Sequence, residues 1–420
     1  MLTRRESFRG AAAVALCANA VSIVEAAAQS ATGRSADSVA ADETFWRSVR
    51  QAYRLDSRYI ILNGGGNNPY PASVTDALHR FDQMASSAPR PHNYTLWGQV
   101  HNHRRRLARL MDCSPDELAI TRNTTEGLNI VGWGLSLREG DEVLMADSED
   151  QYASPIFAQR AKRHGILVRR VELPIEPTAK ETVALFEQSM TNATKLIVAS
   201  HLVDGLGYVL PIRELSDLAH DRGAQLLTDG ALGFGHVPVS MKELNCDYYA
   251  TSLHKWLSAP LGTGALFVKS DRLESLWPLY GTRRAADDIR KFEDIGTRSG
   301  PTLAAIGQAI DFYEHLGPDR KLARVRYLLS IVMTALENVE KVRVITEPDA
   351  SKRAGLARIS VSGFSGRALT SRLRDQYGLL TYGNWPGEID GVYVSPNVFN
   401  TPREMKILTD AIKETAASSN

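Results

Sequence analysis

The amino-acid sequence predicts an α/β chain, with a large unit on a mostly parallel sheet followed by a smaller α+β unit. Three observations carry that expectation. From Tyr59 onward short β-branched apolar runs alternate with amphipathic segments, as parallel strands joined by helical crossovers require. After about Leu336 the apolar runs shorten and sit closer together. The length of 420 residues and the 43% hydrophobic content suffice for a large core.

The first 28 residues read as a leader rather than as domain material. Arg4-Arg5 and Arg9 give a basic start, an apolar run follows from Gly10 to Val24, and Ala26-Ala27-Ala28-Gln29 offers an Ala-x-Ala cleavage site. The segment Thr3-Arg4-Arg5-Glu6-Ser7-Phe8 is similar to a twin-arginine export signal, with Ser7 where an apolar residue is usual. Leu16 before Cys17 is too bulky for a lipobox. The expectation is a periplasmic protein beginning near Gln29; the competing reading is an amphipathic N-terminal helix on a chain that stays in the cytosol. Residues 29–58 form an arm, 59–300 the large unit and 301–420 the small one.

Within the large unit strands are expected at 59–62, 118–121, 142–145, 167–171, 195–199, 224–228, 248–251 and 265–268, with helices between many of them, such as 156–164 and 212–222. Helices are expected over 301–316 and 321–336, then strands near 342–345, 356–361 and 391–394, with helices from Arg367 and Thr401. The last helix has a legible start: Thr401 as cap, Pro402 at the first position and Glu404 three residues after the cap.

Composition excludes several function classes. With 49 Lys+Arg against 48 Asp+Glu the net charge is +1, too small a field to hold nucleic acid or anionic lipid. Three cysteines build neither a disulfide scaffold nor a Cys-based zinc module, and whether Cys113 meets Cys246 is not legible. His92, His101 and His103 lack the carboxylate or cysteine spacing of a metal site, and Arg104-Arg105-Arg106 reads as a solvated helix face. Gly64-Gly65-Gly66 follows a strand without a P-loop lysine, so its small residues point to close backbone approach.

Three short segments carry chemistry. Asn123-Thr124-Thr125-Glu126-Gly127 follows a strand and opens a helix, where N–H groups and two hydroxyls make a phosphate seat or merely a well-capped start. Leu226-Leu227-Thr228-Asp229-Gly230 ends an apolar strand in an acid at the sheet edge where α/β ligands bind. Leu253-His254-Lys255-Trp256 places a lysine among apolar and aromatic neighbours, where an amine loses proton affinity and becomes a nucleophile towards aldehydes.

In residue, order and spacing these segments resemble the fold-type I pyridoxal-phosphate enzymes of the class V aminotransferase family, on its isopenicillin N epimerase-like branch, from about Tyr59 to the C-terminus. The resemblance implies pyridoxal 5'-phosphate held by Lys255 as a Schiff base, with Asp229 keeping the ring nitrogen protonated. It places Thr124, Thr125, Ser252 and His254 on the phosphate, and Tyr152 over the ring as the one ring-bearing residue of its loop. Thr297 would reach the phosphate of a partner subunit, which implies a homodimer.

Three departures from the family bear on the reaction. Leu232 stands where relatives place Gln or His against the ring hydroxyl, leaving Asp204, where relatives often have asparagine, as the substitute. Tyr393 occupies the expected place of the arginine that clamps a substrate carboxylate, so either Arg283, Arg284 or Arg298 replaces it or the substrate presents no ordinary α-carboxylate there. The stretch 378–387 has no cysteine, which excludes desulfuration by the family's nucleophilic cysteine. The expected function is an enzyme acting at the amine-bearing carbon of a small molecule or peptide by transamination, epimerisation or oxidative decarboxylation. The tailoring of a secreted peptide or siderophore would suit an exported enzyme. The alternatives are a cofactor- or amine-binding protein without turnover, or a cytosolic aminotransferase if the leader is not used.

Overall fold

A computed structural model of the chain describes residues 22–149, 153–175, 177–346, 349, 353–383 and 390–418. Most of the leader and Tyr152 lie outside the described residues. The strands in chain order are β1 (Ile60–Ile61), β2 (Leu118–Thr121), β3 (Glu142–Ala146), β4 (Leu167–Val171), β5 (Thr194–Ser200), β6 (Gln225–Asp229), β7 (Tyr248–Ser252), β8 (Gly264–Val268), β9 (Val342–Val344), β10 (Ala357–Val361), β11 (Leu379–Leu380) and β12 (Val392–Val394).

Seven of them form the large sheet in the order β2-β8-β7-β6-β5-β3-β4. β3, β4, β5, β6 and β7 pair in parallel, while β8 runs antiparallel to both β7 and β2. Because successive strand residues face opposite sides, this sheet builds two cores. Leu144, Ile197, Leu226 and Phe267 enter one, and Val143, Leu196, Leu227 and Leu266 the other. Near-continuous apolar runs are what a doubly covered parallel sheet demands. β4, at the edge, exposes Leu167, Arg169 and Arg170 instead.

The smaller sheet has the order β12-β10-β9, all antiparallel. Leu328, Val332, Ile359, Leu369, Leu408 and Ile412 form its core with the helices Pro318–Leu336, Gly366–Tyr377 and Pro402–Ala417. The Thr401–Glu404 capping box forms as expected. β1 pairs in parallel with β11, and Ser395 N–H donates to Leu62 O at 2.7 Å, so the chain enters the large unit by way of the small one. At the N-terminus, residues 22–30 are helical, and Val24 and Ala27 pack with Trp46, Val49, Phe312 and Phe399. Arg324 pairs with Glu43 at 2.5 Å and donates to Asn400 O, tying the arm to the small unit.

The helix expected over 301–316 is two helices, Gly300–Ala304 and Ile306–Leu316. The break has a cause. His103 donates from Nε2 to Ala304 O at 3.1 Å, and its ring fits because a Cβ on Gly307 would lie 2.6 Å from Cε1. Arg104 departs from the solvated-face reading: it is buried and paired with Glu293 at 2.7 Å, while Arg106 pairs with Asp311 and Glu314. Cys113 and Cys246 are free thiols. Among the described residues no helix is long and apolar enough to cross a membrane, and no three His, Cys, Asp or Glu side chains gather as a metal site.

Candidate active site

The C-terminal ends of β2, β5, β6 and β7 lie on one edge of the large sheet, where α/β folds place their ligands. Asp229 is the last residue of β6, 9% exposed, and its Oδ1 accepts the Ala231 N–H at 2.9 Å. Burial pushes its carboxyl above the usual range; the Ala231 N–H and the positive charge of Lys255 oppose this, and Asp204 adds to it. A cation at that spot would reverse the shift.

Ser252 ends β7, and its Oγ accepts the Thr124 N–H at 2.9 Å and lies 2.8 Å from Thr124 Oγ1. Thr124 opens the helix Thr124–Gly134, which Asn123 caps by accepting the Glu126 N–H at 2.8 Å. Gly264 is needed there, since a Cβ would lie 2.7 Å from the Asn123 backbone. Thr125 is exposed in the same first turn. Two hydroxyls and a helix N-terminus thus meet at one point.

His254 and Lys255 follow in the turn after β7. His254 Nδ1 lies 3.0 Å from Thr263 O, so that nitrogen carries the hydrogen. Burial, with Lys255 adding to it, holds the ring below the ordinary histidine range, so it is neutral at pH 7. The Lys255 carbonyl accepts from Asn68 Nδ2 at 2.9 Å and from Ser258 N at 3.1 Å. Asn68 Oδ1 in turn accepts from Asn397 Nδ2 at 2.9 Å, and the Asn397 N–H donates to Asn400 Oδ1 at 2.8 Å. This relay of asparagines fixes the lysine turn from the small unit; sequence reasoning missed it, because its members are 329 residues apart.

Asp204 lies in the loop after β5. Withdrawal from solvent raises its carboxyl, against the pull of Lys255, the Gly205 N–H and Arg358. Arg358, on β10, is the residue of this group that sequence reasoning did not single out; its one signal is a charge inside the apolar strand Ala357–Val361. Tyr393 is buried, and a Cβ on Gly65 would overlap its hydroxyl, which is why small residues follow β1. Leu232 packs with Trp256, Leu356 and Tyr393. Thr297 is exposed on a separate loop whose neighbours Gly296 and Arg298 line a cavity of about 940 Å³ with Arg104, Arg283, Arg284 and Arg290.

A fold-type I architecture with a lysine, a buried acid and a hydroxyl-lined helix start on one sheet edge defines a pyridoxal-phosphate enzyme. The family comparison narrows this further. The aminotransferase class-V model matches residues 61–383, and the chain belongs to that family. Isopenicillin N epimerase of Streptomyces clavuligerus is 30% identical, covering 87% of this chain and 97% of its own. A cysteine desulfurase of Haloferax volcanii is 26% identical over 82% of each. Among solved structures, a mutant of C-DES with glycine covalently linked to its pyridoxal-phosphate cofactor superposes with TM-score 0.80 at 23% identity, covering 87% of this chain and 99% of that one. The cysteine desulfurase CsdA of Escherichia coli gives TM-score 0.80 at 19% identity, over 89% and 99%.

The residues present fit the cofactor of this family. The paired hydroxyls of Thr124 and Ser252 at a helix start suit a phosphate, and the buried Asp229 carboxyl, whose charge lacks a full counterpart, suits a protonated ring nitrogen.

Proposed function

We propose that the chain is an exported, homodimeric pyridoxal-phosphate enzyme that acts at an amine-bearing carbon by transamination, epimerisation or oxidative decarboxylation. The observation that carries the reading is the convergence at one sheet edge of Asp229, at the end of β6, and Lys255, in the turn after β7, close enough for the positive charge of Lys255 to act on the Asp229 carboxyl.

When bound, the cofactor supplies an electron sink for the electrons of the broken bond. Lys255 Nζ would hold its aldehyde carbon at rest, and as a free amine carry a proton to and from the reacting carbon. Asp229 would hold the proton on the ring nitrogen. Thr124, Thr125, Ser252 and His254 would hold the phosphate, Asp204 would face the ring hydroxyl, and Tyr152 would cover the ring. Thr297 would reach the partner subunit's phosphate, a role supported by its exposure beside the arginine-rich cavity.

Several relatives are desulfurases, yet that route finds no nucleophile here. The stretch 378–387 has no cysteine, and burial pushes both Cys113 and Cys246 up to about 12. The twin-arginine-like leader supports export, and export supports a secreted peptide or siderophore as the amine substrate. Borohydride reduction of the holoenzyme followed by peptide mapping should tag Lys255; an untagged Lys255 overturns the reading. Product assays with keto acid and oxygen varied separately then assign the outcome. Sequencing of the mature N-terminus should begin near Gln29, and an intact Met1 would overturn export.

A further inference from the structure

We infer that the folded chain shields its own processing site: the helix over residues 22–30 docks on the body and withholds the Ala28–Gln29 bond from a peptidase until the helix is drawn off. The inference rests on the reading that the leader directs export and is then removed.

The helix has one apolar face. Val24, Ala27 and Ala31 recur at the spacing that lines one side of a helix, and all three are buried, whereas Glu25, Ala26, Gln29 and Ser30 face solvent. A segment this short does not stay helical alone in water, so the docking is what holds it.

The seat is assembled from distant parts of the chain. Trp46, Val49 and Tyr53 come from the arm, Phe312 from the helix Ile306–Leu316 and Phe399 from the loop after β12. Tyr53 stands edge-on to both Phe312 and Phe399, with ring centres 5.5 and 5.1 Å away. Phe399 lies between Asn397 and Asn400 of the relay that holds the lysine turn. The seat therefore exists only once the arm and the small unit have folded together.

Backbone bonding shows what the docking withholds. Ala27 O accepts from Ser30 Oγ at 2.7 Å, Ala28 O accepts the Ala31 N–H at 3.2 Å and Gln29 O the Thr32 N–H at 3.1 Å. Peptidases that read a short linear segment hold it extended and pair with its backbone groups as with an added strand. Residues 26–29 do not present that form while the helix is docked. Behind the helix the chain is fastened: Arg34 pairs with Asp42 at 2.7 Å, and Ala40 O accepts from Arg324 Nη1 at 3.0 Å. Release therefore comes from the N-terminal side, where the basic start and the apolar run lie. One valine and two alanines anchor the helix, a small apolar face that local opening can free. Hydrolysis then adds water across the Ala28–Gln29 bond, leaving a carboxylate on Ala28 and an amine on Gln29.

The test uses the full-length holoenzyme with its leader attached, cut under native conditions with elastase, which severs chains after small side chains. Mass spectrometry follows the cuts within residues 26–29. Val24→Asp unseats the helix, and Phe312→Ala alters the seat while leaving the leader intact; each should speed the cut by about tenfold or more. Amide exchange needs no variant: the Ala28 and Gln29 N–H groups of the wild type should exchange about tenfold or more slowly than in an unstructured chain. Equal cutting of the wild type and both variants, or free exchange at those two amides, overturns the inference. Should either variant fail to fold, exchange in the wild type decides it. A leader peptidase in detergent micelles that spares the Phe312→Ala chain, where elastase cuts it, would be a failure of the export reading and not of the docking.

Discussion

At the scale of single residues, His254 poses a sharp question of protonation. Its Nδ1 hydrogen goes to Thr263 O, so a neutral ring presents Nε2 as an acceptor, the wrong polarity for a phosphate. Burial holds the ring below the ordinary histidine range, so donation to phosphate requires the cofactor to bring a proton onto it. Cofactor affinity should then fall as pH rises between about 6 and 9, and His254→Gln, whose amide donates at every pH, should flatten that slope. Cofactor titrations by absorbance across that range check it; a wild-type affinity independent of pH removes His254 from the phosphate. Gly65 gives a second residue-scale expectation. Gly65→Ala forces the Tyr393 ring aside and should cost about 1–3 kcal/mol of stability. The cost should be smaller in a Tyr393→Phe background, since the hydroxyl is the atom struck first; thermal melts of the four proteins of this cycle measure it.

At the scale of elements, strands were legible because a doubly covered sheet needs uninterrupted apolar runs, and β2 and β4 fall at the expected bounds. The placement of Lys255 and Asp229 at the sheet edge was legible for the same reason: each follows or ends such a run, and its neighbours in sequence are its neighbours in space. The contact of Asn68 with the lysine turn was not, because it spans 187 residues, which no local pattern records. The split of the helix at Ala305 was hidden likewise in His103, some two hundred residues away. The turn Ile289–Glu293 shows how such contacts hold an element in place. Glu293 accepts the Ile120 N–H at 2.6 Å and pairs with the buried Arg104, so it pins β2 and the loop that carries Thr297. Glu293→Ala leaves a buried guanidinium uncompensated and should destabilise the chain by about 3–5 kcal/mol in denaturant unfolding. Glu293→Gln, which retains an acceptor, should cost less.

At the scale of the whole molecule, the two units meet across the lysine turn, and a buried lysine amine sits in that joint. Lys321, from the helix Pro318–Leu336, donates to Trp256 O, one residue from Lys255, and faces the rings of Trp256 and Tyr313. His236 stacks on Trp256 at 3.5 Å and accepts the Gly355 N–H at 2.8 Å, and burial, with Lys321 adding to it, keeps its ring neutral. Burial lowers the Lys321 amine from 10.5 to about 7. The sign follows from proton linkage. Between those two values the unfolded chain holds the proton on Lys321 and the folded chain does not, so this residue makes stability rise with pH across that window. Below about 7 both states are protonated, and the folded state bears the full cost of the buried charge, a few kcal/mol on the order-of-magnitude scale of the shift. Lys321→Met should therefore remove the rise and, at neutral pH, offset part of the lost bond to Trp256 O. Thermal melts of the apoprotein at intervals from about pH 7 to 10 distinguish the cases: a wild-type curve whose slope Lys321→Met leaves unchanged would show that the amine is charged in the fold. The same joint carries Asn68, Asn397 and Arg358, so a slope that Lys321 does impose would make the seating of the small unit, and with it the lysine turn, firmer towards alkaline pH.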